Sequence, residues 1–169
     1  MRLFSGKVPV IADDIIETLS ASGDVELEDA AEARLDLEAV LKEHIRRDRQ
    51  AGDEARERMQ REGLSHSMLG RVRARVNKEW GMPAQDEVLP FLLDQLVEML
   101  FHSNNVAEIY ADDVALRTTI TPILRRHMEV EDELDREVRA RIKNLSEGTA
   151  TFEIEYQRVM EQMKQKKGL

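Results

Sequence analysis

The feature that most constrains this chain is a repetition. When the sequence is displaced by 81 positions, Val8, Ile11, Ile15 and Leu19 fall on Leu89, Leu92, Leu96 and Leu100. Both sets step by three, four and four residues, which places them on one face of an α-helix. Over the eighteen aligned positions six residues are identical: Pro9/Pro90, Asp13/Asp94, Glu17/Glu98, Leu19/Leu100, Ser22/Ser103 and Val25/Val106. A displacement of 83 aligns the next stretch of chain, with Leu41/Leu124, His44/His127, Glu54/Glu137, Arg56/Arg139 and Arg58/Arg141 identical. A helical unit of some eighty residues, present twice, accounts for both alignments.

Charge keeps the same period. Residues 1–45 carry a net −7, residues 46–80 a net +4, residues 81–115 a net −7 and residues 116–169 a net +1. Each half opens strongly acidic and closes neutral to basic. The sum is −9 over 169 residues, with 35% charged and 41% hydrophobic side chains, only 4% aromatics and no cysteine. That composition excludes a collagen-like chain, a Pro/Gly-rich disordered chain and a disulfide scaffold, and it requires a mostly aliphatic core. The most apolar stretch, Val88 to Phe101, is broken by Asp94, Gln95 and Glu98. It falls short of the roughly 20 apolar residues that span a bilayer. The N-terminal MRLFSGKVPV lacks the pattern of a signal peptide. The expectation is a cytoplasmic protein without a membrane span.

Each half reads as a short helix, a long helix and a short helix. The fold class expected is therefore all-α, with residues 1–80 and 84–169 as tandem repeats joined at Gly81-Met82-Pro83. The first helix spans about residues 7–21, with Pro9 tolerated in its first turn. Gly23 and Asp24 stop it, and Ser103-Asn104-Asn105 stop its counterpart, Asn suiting a left-handed cap. Residues 25–27 and 106–109 read as apolar connectors able to pair as small strands. The long helices span about 29–62 and 112–145, the first opening on Asp29 with Glu32 three residues on. At about 50 Å each exceeds what its short neighbours cover. Gly52 weakens the first long helix and marks a candidate bend, while Pro122 predicts a kink near Thr121 in the second. The closing helices span about 67–80 and 151–166.

The second half carries a resemblance. Its stretch DDVALRTTITPILRRHMEVEDELDREVRARI and tail EYQRVMEQMKQKKG resemble the bacterial domain-of-unknown-function family numbered 507, over about residues 86–167. The opening MRLFSGKVP resembles that family's start, so residues 1–80 look like a second, divergent copy, with RRDRQAGDEARERM replacing the more apolar RRHMEVEDELDREVRARI. The resemblance implies a small helical bacterial protein and brings no activity, cofactor or catalytic residue with it.

Two sets of residues are candidates for binding. Leu134, Val138, Ile142 and Leu145 form a narrow apolar stripe, which fits a two-helix seam with a partner or ordinary packing within the chain. Arg71, Arg73, Arg75 and Lys78 form a basic face opposite Leu69, Val72 and Val76, and Lys164, Lys166 and Lys167 make a second basic cluster. Basic helices bind phosphate backbones, but a net −9 opposes long-range attraction to nucleic acid. Packing beside the acidic leading helices is the simpler reading. His44 with Asp48 and His127 with Glu131 are spaced i, i+4, as metal ligands on one helix face would be. No third ligand is placed, so helix-face ion pairs explain them better. Residues 129–133, an acidic run, lack the glycine turn of a calcium loop.

No glycine-rich phosphate loop, nucleophile elbow or cysteine is present, and Ser65-His66-Ser67 is suggestive only as letters. The expected function is a non-enzymatic helical interaction or scaffold protein, without cofactor, that binds a protein partner or itself. The alternative is a nucleic-acid-associated protein using the basic third helix and the Lys-rich tail.

Overall fold

The computed structural model describes residues 2–167. Among them the chain is predominantly α-helical, with one two-stranded antiparallel ribbon. Helix α1 (Val8–Ser22) has Pro9 in its first turn, where no intrahelical hydrogen bond is lost. Gly23 ends it in the left-handed conformation at φ 76, and the N–H groups of Gly23 and Asp24 donate back to Ser20 and Leu19, each at 3.2 Å. Its counterpart α4 (Val88–His102) stops differently. Ser103 is extended at φ −70, ψ 129, and no non-glycine residue among those described has a positive φ. The expected left-handed asparagine cap is absent because these side chains are used elsewhere. The Ser103 hydroxyl and the Asn105 amide donate to the Asp36 carboxylate at 2.5 and 2.8 Å.

The long helices are α2 (Ala30–Glu62) and α5 (Asp113–Arg141). Both open on the same cap. Asp29 accepts the Glu32 N–H at 3.0 Å and Asp112 accepts the Ala115 N–H at 2.7 Å, each satisfying one orphan donor of a helix N-terminus. Helix α5 stops four residues before Leu145, which lies in the irregular segment after it. Pro122 does not interrupt α5. Pro122 and Thr118 are both exposed, so the Thr118 carbonyl that proline leaves without a helical donor lies on the solvent side. The closing helices are α3 (Leu69–Glu79), preceded by a 3-10 turn at His66–Met68, and α6 (Ala150–Lys167). Ser65 caps the 3-10 turn and Thr149 caps α6, accepting the N–H groups of Ser67 and Phe152 at 3.2 Å each.

Strands β1 (Val25–Leu27) and β2 (Val106–Ile109) pair antiparallel, with Val25 opposite Ile109, Glu26 opposite Glu108 and Leu27 opposite Val106. The connectors thus join the two halves of the chain to each other. Reciprocal backbone bonds flank the ribbon. The Asp24 carbonyl accepts from the N–H groups of Tyr110 (2.9 Å) and Ala111 (3.2 Å), and the Asn105 carbonyl accepts from those of Glu28 (2.9 Å) and Asp29 (3.2 Å).

The chain forms two compact units. One comprises the residues up to Arg47 together with Pro83–Glu129, the other Asp48–Met82 together with the residues from Val130 on. They differ from the expected domains 1–80 and 84–169: each unit takes a segment from both sides of Gly81–Pro83. The physical reason is that α1 and α4 share one core instead of each closing its own. Val8, Ile11, Ile15 and Leu19 are buried in the same cluster as Leu92, Leu96 and Leu100, with Leu37, Leu41, Leu116, Ile120 and Leu124 from the long helices. The second unit has a cluster of Ala51, Ala55, Met59, Val72 and Val76, backed by Leu69 and Trp80.

Leu41 and Leu124 occupy matching places and are both fully buried. Leu41→Ala and Leu124→Ala should each lower the unfolding free energy by about 2–5 kcal/mol, read from urea midpoints. Val114→Ala, at a side chain 70% exposed, should change it by less than about 0.5 kcal/mol.

Candidate functional site

The polar side chains of the first unit fall into ion pairs between its helices. Asp13 on α1 lies 3.3 Å from Arg34 on α2, and Arg34 also holds the buried Glu38, which Lys42 meets at 2.6 Å. At the matching positions of the second half, Asp94 on α4 pairs with Arg117 on α5, and Arg117 also holds Asp113 at 2.7 Å. The two carboxylates stabilise the charged form of Arg117 and raise its pKa. His127 donates its Nε2–H to Asp14 on α1 at 2.6 Å, beside Arg126 at 2.9 Å. The His127 hydrogen bond, with Arg126 beside it, holds the Asp14 carboxyl below its ordinary range. His44, which the 83-residue displacement aligns with His127, is buried and sits 5.9 Å, ring to ring, from Phe91 on α4.

The outward face of the ribbon was not singled out by the sequence. Glu26 and Glu108 stand opposite each other on adjacent strands, both exposed. Tyr110 follows on the same side. Its hydroxyl donates to Glu26 at 2.7 Å and its ring is 67% exposed. The Glu26 carboxylate, with Glu108 near it, pushes the Tyr110 phenol up from its ordinary value. The signal that was available is the alternation Val25-Glu26-Leu27, which puts one carboxylate outward between two inward apolar groups.

The second unit places the predicted binding residues apart. Leu134, Val138 and Ile142 are 1, 0 and 6% exposed, and Leu145 is half-buried. They belong to the interior of the monomer, so the stripe presents no open seam. Helix α6 runs antiparallel along this part of α5. Tyr156 donates to Asp135, Arg139 lies 5.8 Å from the Phe152 ring and 5.6 Å from the Tyr156 ring, and Lys164 is 3.8 Å from the buried Glu131. Lys167 reaches Glu137 at 2.7 Å. Two of the three lysines in the tail are thus committed to carboxylates of α5.

The basic face of α3 divides in two. Arg73 is engaged: it donates to the Asp48 carboxylate and carbonyl at 2.5 and 2.8 Å and to Asn77 at 3.0 Å. Its guanidinium passes over Gly52, where an added Cβ would lie 2.7 Å from Nη1. Gly52 therefore marks no break in α2; it makes room for Arg73. Arg71, Arg75 and Lys78 are exposed, and their side chains make no hydrogen bond and have no carboxylate within 4 Å among the described residues, although Glu79 feels the charge of Arg75. Neither His–carboxylate pairing stands alone as a ligand pair. Asp48 serves Arg73 and His127 serves Asp14. Among the described residues no group of three or more His, Asp or Glu side chains converges as for a metal ion. Ser65 of the Ser-His-Ser triplet is a cap, its Oγ 2.6 Å from that of Ser67. No helix among the described residues is long and apolar enough to cross a membrane.

A family model described as "Protein of unknown function (DUF507)" matches residues 1–169. The match extends over the divergent first half as well as the second. No curated protein matches the chain.

These contacts have two measurable consequences. Gly52→Ala should gain about 1 kcal/mol of helix propensity only where Arg73 is absent. In the wild type the Cβ displaces the guanidinium and the gain vanishes, so a double-mutant cycle with Arg73→Met should show coupling of about 1 kcal/mol by urea denaturation. Because the folded state depresses the Asp14 pKa, its contribution is present above the unfolded value and disappears as pH falls through the folded one. Asp14→Asn should cost about 1 kcal/mol at pH 7. The wild type should lose that advantage on acidification below about pH 4, as measured by denaturation midpoints.

Proposed function

The chain belongs to the DUF507 family, and we propose that it acts as a non-enzymatic protein-interaction or scaffold protein whose acidic unit receives a basic partner. The observation that carries this reading is the segregation of charge between the two units. The first holds 9 basic and 19 acidic side chains, net −10, and the second 16 basic and 15 acidic, net +1. A field of that sign attracts and orients cationic partners and repels nucleic acid. The first unit also exposes Val10, Leu35, Phe101, Tyr110 and Val114, and aromatic groups amid polar ones are what interface anchors are made of.

What the ionisable groups do supports the same reading. Asp14, Asp29, Asp36, Asp48 and Asp112 cap helices or tie elements together. The nucleic-acid alternative is left with Arg71, Arg75 and Lys78 on α3 and with Lys166, a small cationic surface on a chain of net −9. A cytoplasmic setting fits both readings.

The experiment is capture from a bacterial lysate on the immobilised full-length chain, with and without nuclease, at about 50 mM and about 500 mM salt. The expected result is a defined set of proteins retained at low salt, released at high salt and unchanged by nuclease. Retention that disappears with nuclease would overturn the reading in favour of the nucleic-acid one.

A further inference from the structure

We infer that the outward face of the β1–β2 ribbon is a docking surface for the exposed basic face of α3 on a second copy of this chain. The inference rests on the interaction reading and names the partner.

The ribbon carries a local conflict. Glu26 and Glu108 are direct cross-strand partners, and like charges in that position repel. In the helices of the same unit carboxylates are answered by arginines, Asp13 by Arg34 and Asp94 by Arg117. Here the neighbour of Glu26 is the Tyr110 hydroxyl, which adds no positive charge. The Glu108 side chain makes no hydrogen bond or ion pair among the described residues. The face is thus two carboxylates beside an exposed aromatic ring. A guanidinium fits both parts, pairing with carboxylates through its fork of N–H groups and lying flat on a phenol ring.

The same chain exposes the complement. Most arginines of the second unit are matched to carboxylates: Arg56, Arg58, Arg61, Arg73, Arg139 and Arg158 all have one within 4 Å. Arg71, Arg75 and Lys78 have no carboxylate within that distance, although Glu79 feels the charge of Arg75, and they are exposed on one side of α3 at i, i+4 and i+7. Arg71 and Arg75 are one helical turn apart, about 6 Å. Carboxylates on directly opposed residues of paired strands stand about 5 Å apart at their Cβ atoms. Two cations at that spacing can meet two anions at this one, and the Tyr110 ring accepts the flat side of a guanidinium. The net −10 of the acidic unit supplies the attraction that brings the two faces together.

Each copy presents both faces, and they are different faces. The contact is therefore head to tail, and it propagates as an open chain unless geometry closes it into a ring. A propagating contact is what a scaffold needs.

Sedimentation velocity of the full-length protein tests this. Wild type at about 50 mM salt should show a mass that rises with concentration and returns to the 19.5 kDa of one chain at about 500 mM salt. Glu26→Gln with Glu108→Gln removes the acidic face, and Arg71→Gln with Arg75→Gln removes the basic one. Either variant alone should stay at one chain's mass while keeping the wild-type helical circular dichroism. Their equimolar mixture should form a terminated pair at twice that mass, since one partner supplies each intact face. A wild type that is monomeric at every concentration overturns the inference, as does association that survives both variants or a mixture that never pairs. If the wild type is monomeric while basic proteins are still captured from lysate, the interaction reading stands and the second-copy partner falls.

Discussion

Two backbone carbonyls, those of Asp24 and Asn105, hold the arrangement together. Each sits where the chain leaves a short helix, and each accepts two N–H groups from the opposite half. Backbone polar groups at such exits must find partners, and here the partners lie some eighty residues away in sequence. Once the exits are clasped, β1 and β2 are forced side by side, and the long helices start from matching caps at Asp29 and Asp112. The apolar faces of α1 and α4 then have one core to share. The exchange explains why the compact units cut across the chain halves.

Local grammar was readable in the sequence. Helix phase, the Pro9 entry, the Gly23 exit and the Asp29 cap all depend on residues within a few positions of one another, and all appear where spacing predicted them. Features set by distant partners were not readable. Gly52 looked like a weak point because nothing nearby shows that Arg73 will lie across it. Ser103 does end α4 where the sequence predicted a stop, but the left-handed asparagine cap expected there does not form, because Ser103 and Asn105 donate to Asp36, far along the chain. The stripe at Leu134, Val138 and Ile142 has the period of a seam, and period alone does not say that the covering residues come from the same chain. The ribbon face was missed for the same reason: Glu26 and Glu108 become a pair only once the halves are joined.

The matching contacts in the two halves bear on how the molecule uses charge. Asp13–Arg34 and Asp94–Arg117 recur at positions that displacements of 81 and 83 residues align, as do the two caps and the two carbonyl clasps. Surface ion pairs contribute little stability individually, so their value lies in fixing which helix faces which. The differences between the halves are functional candidates by the same logic. His127 binds Asp14 whereas His44 faces Phe91, and α3 bares three cations whereas α6 spends two of its lysines on α5.

The central claim is that neither half folds without the other, because each completes its hydrogen bonds and its core with the partner's residues. The most direct measurement is circular dichroism with urea titration on the fragments 1–82 and 83–169, first apart and then mixed in equal amounts. The account predicts little cooperative unfolding from either fragment alone and recovery of a single cooperative transition on mixing. A sharp, native-like transition from one fragment by itself would contradict it.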